Sequence, residues 1–197
     1  MDALAFTGHK GLLGPQGTGG FLIRPDLAAE LEPLIVGGTG SISHTEDVPD
    51  FLPDRFEAGT LNLPGLAGLK AALSWLLSRP EGAVLAHELS LTGLFLREME
   101  RLEADGLLRL VGRRGTEGRV GVVSVVPLHR DPAELAFLLD ERYGIAVRVG
   151  LHCAPAAHRA LGTFPGGTVR FSFGAFNTEA EVSLAAAAVG ELCRPGR

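Results

Sequence analysis

The sequence predicts a mixed α/β fold, of the α+β kind from about residue 80 onward, with helices flanking a small sheet. Three observations lead there. Asp131-Pro132-Ala133-Glu134 joins a capping carboxylate, a proline suited to a first helical turn and a glutamate that completes a capping box. Thr178 with Glu181 repeats that start signal ahead of Val182, Ala185, Ala186, Val189 and Leu192, which share one helical face. Runs of strand length rich in β-branched residues stand at 119–126, 145–149 and 169–173.

Taken in order, residues 3–6 and 20–23 read as short strands separated by Gly, Pro, Gln and Thr turn chemistry. Residues 24–63 read as mostly irregular, broken by Pro25, Pro33, Gly37-Gly38-Thr39-Gly40, Pro49, Pro53 and Gly59; so long a stretch is usually functional or disordered. A helix is expected from about Pro64 to Leu77, before Pro80. A longer one follows, with Val84, Leu91, Phe95, Met99 and Leu102 on one face. Residues 107–111 and 119–126 read as strands around a charged, glycine-containing turn. The helix opened at Asp131 should end near Tyr143-Gly144, and Ile145–Val149 and Val169–Phe173 complete the strands.

At 197 residues the chain has room for one large domain or one and a half small ones. Its 46% apolar and 21% charged residues suit a buried core, and a net charge of −5 without like-charge runs argues against an obligate polyanion binder. Cys153 and Cys193 could pair in principle but do not make a disulfide framework. Asp2 with no basic segment is not a signal peptide, and the longest apolar stretch, Leu184 to Val189, is too short for a bilayer. The expectation is a cytoplasmic protein that engages neither membrane nor nucleic acid.

Four segments could carry chemistry. In Phe6-Thr7-Gly8-His9-Lys10-Gly11 a lysine ends an apolar run beside a hydroxyl and an imidazole, then enters a glycine-rich turn. A solvated surface amine is the plain alternative; the sharper reading is an imine-forming amine with phosphate-binding groups at its side. In Arg148-Val149-Gly150-Leu151-His152-Cys153-Ala154-Pro155 a cysteine follows a strand within a loop, placed for exposure and thiolate chemistry. The alternatives are a small apolar filler, or a Cys-x4-His pair with His158 that falls short of a zinc site. Arg170, between Val169 and Phe171, faces opposite to them and suits either a carboxylate or an outward salt bridge. The Gly59-Thr60 step ahead of a helix fits an anion-binding turn or an ordinary cap.

Together and in this order, these segments resemble the cysteine desulfurase and selenocysteine lyase branch of the class V aminotransferases, over residues 2–190. Leu34–Ser41, Phe56-Glu57-Ala58-Gly59-Thr60 and Thr168–Thr178 carry the match along with the lysine and cysteine segments. The resemblance implies pyridoxal phosphate (PLP) as cofactor, held as an imine on Lys10, with Thr7 and His9 as phosphate contacts. It implies that Thr60 reaches the phosphate of a neighbouring subunit, hence a homodimer. It implies an amino-acid substrate, L-cysteine or selenocysteine, that Cys153 takes sulfur as a persulfide, leaving alanine, and that Arg170 clamps the substrate carboxylate. The sulfur would pass onward to an acceptor protein, and no metal is implied.

The resemblance covers about the C-terminal half of a usual member. It implies residues 1–63 as a remnant of the large PLP-binding domain, 64–80 as a connecting helix and 81–197 as a complete small α+β domain. The upstream phosphate loop, the imidazole that stacks on the ring and the Asp that pairs with the pyridine nitrogen are not in this sequence. The chain is therefore expected to be inactive without that half, and residues 1–60 to be poorly supported alone. A misassigned start, a split or relic gene with association to a partner chain, and a non-catalytic fragment are the competing explanations. A different class of reading takes His87–Asp105 and Leu107–Val126, with Arg113 and Arg114 at the turn, as a winged-helix DNA-binding module. The near balance of charge in that segment weighs against it.

Overall fold

The structure is a computed structural model and describes residues 1–42 and 44–195. It divides into two compact units, Met1–Pro80 and Glu81–Arg197.

In the first unit, β1 (Ala3–Thr7) and β2 (Gly19–Ile23) pair antiparallel from Ala3↔Ile23 to Thr7↔Gly19. Their connection is locked at its root. The Gly8 N–H donates to the Thr18 carbonyl at 2.8 Å, and the Gly14 N–H to the Gly8 carbonyl at 2.8 Å. A Cβ on Gly8 would stand 2.3 Å from Thr18 Oγ1, so only glycine fits there. Residues 24–63 are less irregular than the sequence suggests: α1 (Pro25–Glu30) and a 3-10 turn at Asp54–Phe56 lie within them. Pro25 supplies the first-turn geometry of α1, and Arg24 bridges Asp2 and Asp26. Helix α2 (Leu63–Leu77) starts where Asn62 accepts the Gly65 N–H at 3.1 Å. Much apolar surface stays uncovered in this unit: Leu34 is 98% and Ile35 73% exposed. Soluble monomers seldom leave so much of a contiguous apolar segment open.

The second unit is built on α3 (Ala83–Ala104), β3 (Leu108–Val111), β4 (Val122–Pro127), α4 (Pro132–Tyr143), β5 (Arg148–Gly150), α5 (Pro155–Ala160), β6 (Thr168–Ser172) and α6 (Glu179–Leu192). Its sheet runs β3-β4-β6-β5, antiparallel throughout. Leu108, Leu110, Val123, Val125, Val169 and Phe171 alternate onto one face. Against them lie Leu91, Phe95 and Met99 of α3, Leu135 and Leu139 of α4, and Val182, Val189 and Leu192 of α6. Phe95 is fully buried, its ring 4.7 Å from Phe171 and 5.2 Å from Phe173. Arg109, Ser124, Arg148 and Arg170 occupy the opposite face. Both edge strands are short, which limits pairing with other chains.

The start signals hold, with one difference. Thr178 and Glu181 form a reciprocal capping box. Asp131 caps α4 through Ala133 and Glu134 N–H groups, but the Glu134 carboxylate turns to Arg130 instead of back to the cap. The strand expected over Ile145–Val149 is shorter and later, at Arg148–Gly150. The Ile145 N–H is taken by the Leu139 carbonyl and the Gly144 N–H by Asp140, closing α4 with Gly144 left-handed. Helix α5 was not expected from the sequence. The segment weighed as a DNA-binding wing is instead α3 and the β3–β4 hairpin of this core, with Arg114 paired to Glu103. Among the described residues no helix is long and apolar enough to cross a membrane.

Candidate active site

In the first unit, the tight β1–β2 connection puts Thr7, His9 and Lys10 in sequence at the end of β1. Thr7 Oγ1 and His9 Nδ1 are hydrogen-bonded at 2.9 Å. Lys10 is exposed and has no ion-pair partner among the described residues, while its carbonyl accepts the Leu13 N–H at 2.9 Å. The amine thus stands free on a backbone that is not. Thr60 follows Gly59, whose N–H donates to the Gly38 carbonyl at 2.8 Å. Its hydroxyl is exposed and makes no hydrogen bond among the described residues.

In the second unit the strand pairing gathers a cationic cluster. Arg148 and Arg170 lie directly across from each other on β5 and β6, and so share a face. Like charges placed opposite repel unless an anion lies between or near them. Among the described residues neither forms a salt bridge, and Arg170 Nε is buried without a partner. Five residues beyond Arg148, Cys153 is exposed, and Arg148 Nη2 donates to its sulfur at 3.4 Å. Cys193 is the opposite case: it sits in the core, and burial pushes its thiol up to about 11. The two cysteines are both free. Among the described residues no group of three or more His, Cys, Asp and Glu could hold a metal.

Beside Cys153, His152 Nε2 and Thr168 Oγ1 are hydrogen-bonded at 3.0 Å. Burial holds the imidazole below its ordinary value of 6.5, and Arg170, His158 and Arg148 push the same way, against a hydrogen bond to the Thr168 backbone. The folded chain then takes up this proton less readily than the unfolded one. Stability from neutral His152 is present above 6.5 and lost as pH falls through the lower folded value. Urea unfolding should therefore show stability falling as pH drops from about 7.5 to about 5.5, with His152→Asn flattening that slope. An unchanged slope would exclude the imidazole as its source. The lowered carboxyls of Glu103 and Glu181 act with the same sign but only below 4.5.

The structure therefore brings Cys153 and Arg170 into one unit and Thr7, His9, Lys10 and Thr60 into the other. Sequence reading singled out those six and missed Arg148 and Thr168, which touch the cysteine and its neighbouring histidine. No local signal marked them: Arg148 falls opposite Arg170, and Thr168 opposite Gly150, only once β5 is paired with β6.

The profile of the family described as Aminotransferase class-V matches residues 1–184. A probable cysteine desulfurase of Methanothermobacter thermautotrophicus is 35% identical over 99% of this chain and 48% of the relative. One of Aeropyrum pernix is 37% identical over 98% of this chain and 47% of its own length. Among solved structures, an apo cysteine desulfurase from Thermococcus onnurineus superposes with a TM-score of 0.83 at 35% identity, covering 97% of this chain and 46% of that one. The chain spans about half the length of the curated relatives it matches. With almost the whole chain matched by both sequence and fold, it belongs to the class V aminotransferase family.

Proposed function

We propose that this chain carries the lysine- and cysteine-bearing half of a PLP-dependent cysteine desulfurase, which converts L-cysteine to L-alanine and keeps the sulfur on Cys153 as a persulfide. Selenocysteine is the related substrate. The observation that carries this reading is the exposed Cys153 sulfur held by Arg148, with Arg170 across from that arginine and its buried Nε without a partner among the described residues. In this reading residues 1–63 are the PLP-binding remnant, 64–80 the connecting helix and 81–197 the small domain.

The residues present fit PLP: a free primary amine at Lys10, and at Thr7 and His9 a hydroxyl and an imidazole suited to a phosphate. When bound, PLP supplies the electron sink for breaking bonds next to an amino acid's α-carbon. Lys10 would hold the cofactor and, once displaced by substrate, move a proton at the α-carbon. Arg170 would clamp the carboxylate with its planar fork. The Cys153 thiolate would form a bond to the substrate sulfur as the carbon–sulfur bond breaks, and the carbon fragment would take a proton to become alanine. Thr60, exposed and unpartnered, would serve the phosphate of a second subunit in a homodimer. Sulfur would pass to an acceptor protein, and two free thiols suit a reducing cytoplasm.

A second reading has its own support. The exposed apolar run Leu34–Val36 and the two-stranded β1–β2 sheet favour association of the first unit with a partner chain that completes the fold. In that case the chain is a split subunit, inactive by itself.

The test is to add PLP to the purified 197-residue chain, reduce with borohydride and map the product by mass spectrometry. A stoichiometric adduct on Lys10 is expected. No adduct, or labelling spread over other amines, would sink the claim that this half positions the cofactor.

A further inference from the structure

The four residues that present Cys153 form a turn its sequence does not favour. The Ala154 N–H donates to the Leu151 carbonyl at 2.8 Å, and both central residues are left-handed, His152 at φ 51° and Cys153 at φ 61°. Two positive φ values in a row suit Asn-Gly, not two side chains with a Cβ. Such a conformation persists only where its surroundings hold it.

Those surroundings are on β6. Thr168, 1% exposed, holds the His152 ring from the strand position opposite Gly150. The same ring lies 5.6 Å from that of His158, which is itself buried and bonded through Nδ1 to Thr163 Oγ1 at 2.7 Å. Just before Thr168, a Cβ on Gly167 would stand 2.3 Å from the Gly150 carbonyl, so the two backbones are already in contact. The turn is thus seated on β6 by backbone on one side and by an imidazole on the other.

We propose that His152 is a positioning residue: anchored to Thr168, it holds the left-handed turn that keeps the Cys153 sulfur against Arg148. This deepens the desulfurase reading, on which its purpose rests, but its test does not need turnover. Iodoacetate and iodoacetamide both alkylate the same thiolate and release iodide, so the ratio of their rates cancels thiol ionisation. What remains is the pull of nearby cations on the anionic reagent.

In the full chain, Thr168→Val is expected to lower the iodoacetate-to-iodoacetamide ratio at Cys153 by about three- to tenfold. Thr168→Ser, which keeps the hydroxyl, should restore it. His152→Ala should match Thr168→Val, and the double variant should fall no further than either. Cys193 should stay unlabelled throughout, since its labelling would report unfolding. If His152→Ala unfolds, the Val and Ser variants at Thr168 decide alone. A parent-like ratio in Thr168→Val, or additive losses in the double variant, would overturn the proposal. Failure of the desulfurase reading looks different: no PLP adduct on Lys10, with this pattern of ratios intact.

Discussion

Lys10→Ala should remove the reduced PLP label from this chain completely, and Lys70→Ala should leave it at the parent level. Lys10 and Lys70 are the chain's two lysines, so the comparison is nearly free of background. The physical difference between them lies in backbone and neighbours. Lys10 stands in a turn closed by Leu13 and rooted by Gly8 and Gly14, beside the Thr7–His9 pair. Lys70 is an exposed residue of α2. An amine with a hydroxyl and an imidazole beside it to take the phosphate holds the aldehyde at two points; an amine without them exchanges it. Cys153→Ser should keep the label, because in the proposed reaction the thiol acts on sulfur and not on the cofactor's carbonyl. In the chain assembled with the other half of the fold, the same substitution should end sulfur transfer from L-cysteine. Unchanged sulfide release would move the assignment to another lyase or a transaminase.

Phe95→Ala should cost the second unit about 3–5 kcal/mol, a large part of the about 5–15 kcal/mol that a domain has in hand. Phe95 is fully buried and joins α3 to Phe171 of β6 and to Phe173 just beyond it, so the lost ring leaves a cavity between helix and sheet. The check is a urea titration read by the rate at which Cys193 becomes accessible to a thiol reagent. Cys193 is 1% exposed in the same core, so its labelling follows the opening of that core. Phe137→Ala, at a ring that is 61% exposed on α4, should stay within about 0.5 kcal/mol of the parent. Equal losses at the two positions would mean that the core is not where the structure puts it.

The positions of α2, α3, α4 and α6 were legible from local chemistry. Asp131 and Thr178 cap the helices that follow them, Pro64 stands in the first turn of α2 and Gly144 ends α4, because caps and stops act within a few residues of chain. The family was legible too, since Lys10, Thr60, Cys153 and Arg170 occur in an order that few chains share. Helices α1 and α5 escaped notice because each starts on a proline without a polar cap: Arg24 and Ala154 precede them and neither side chain caps. The short β5 escaped because the Ile145 N–H, free for a strand in any local reading, is consumed by the end of α4.

What the residues alone determined is therefore the mixed fold, the four longer helices and the chemical groups available. The tertiary structure decided which of those groups meet. Thr168 reaches His152, and Arg170 comes to lie across from Arg148, because β5 pairs with β6 in this register. Such pairing joins residues some twenty positions apart, and no cap, turn or periodicity within either strand specifies it. The left-handed turn at His152 and Cys153 follows the same rule, because local preference opposes it and the contact with β6 imposes it.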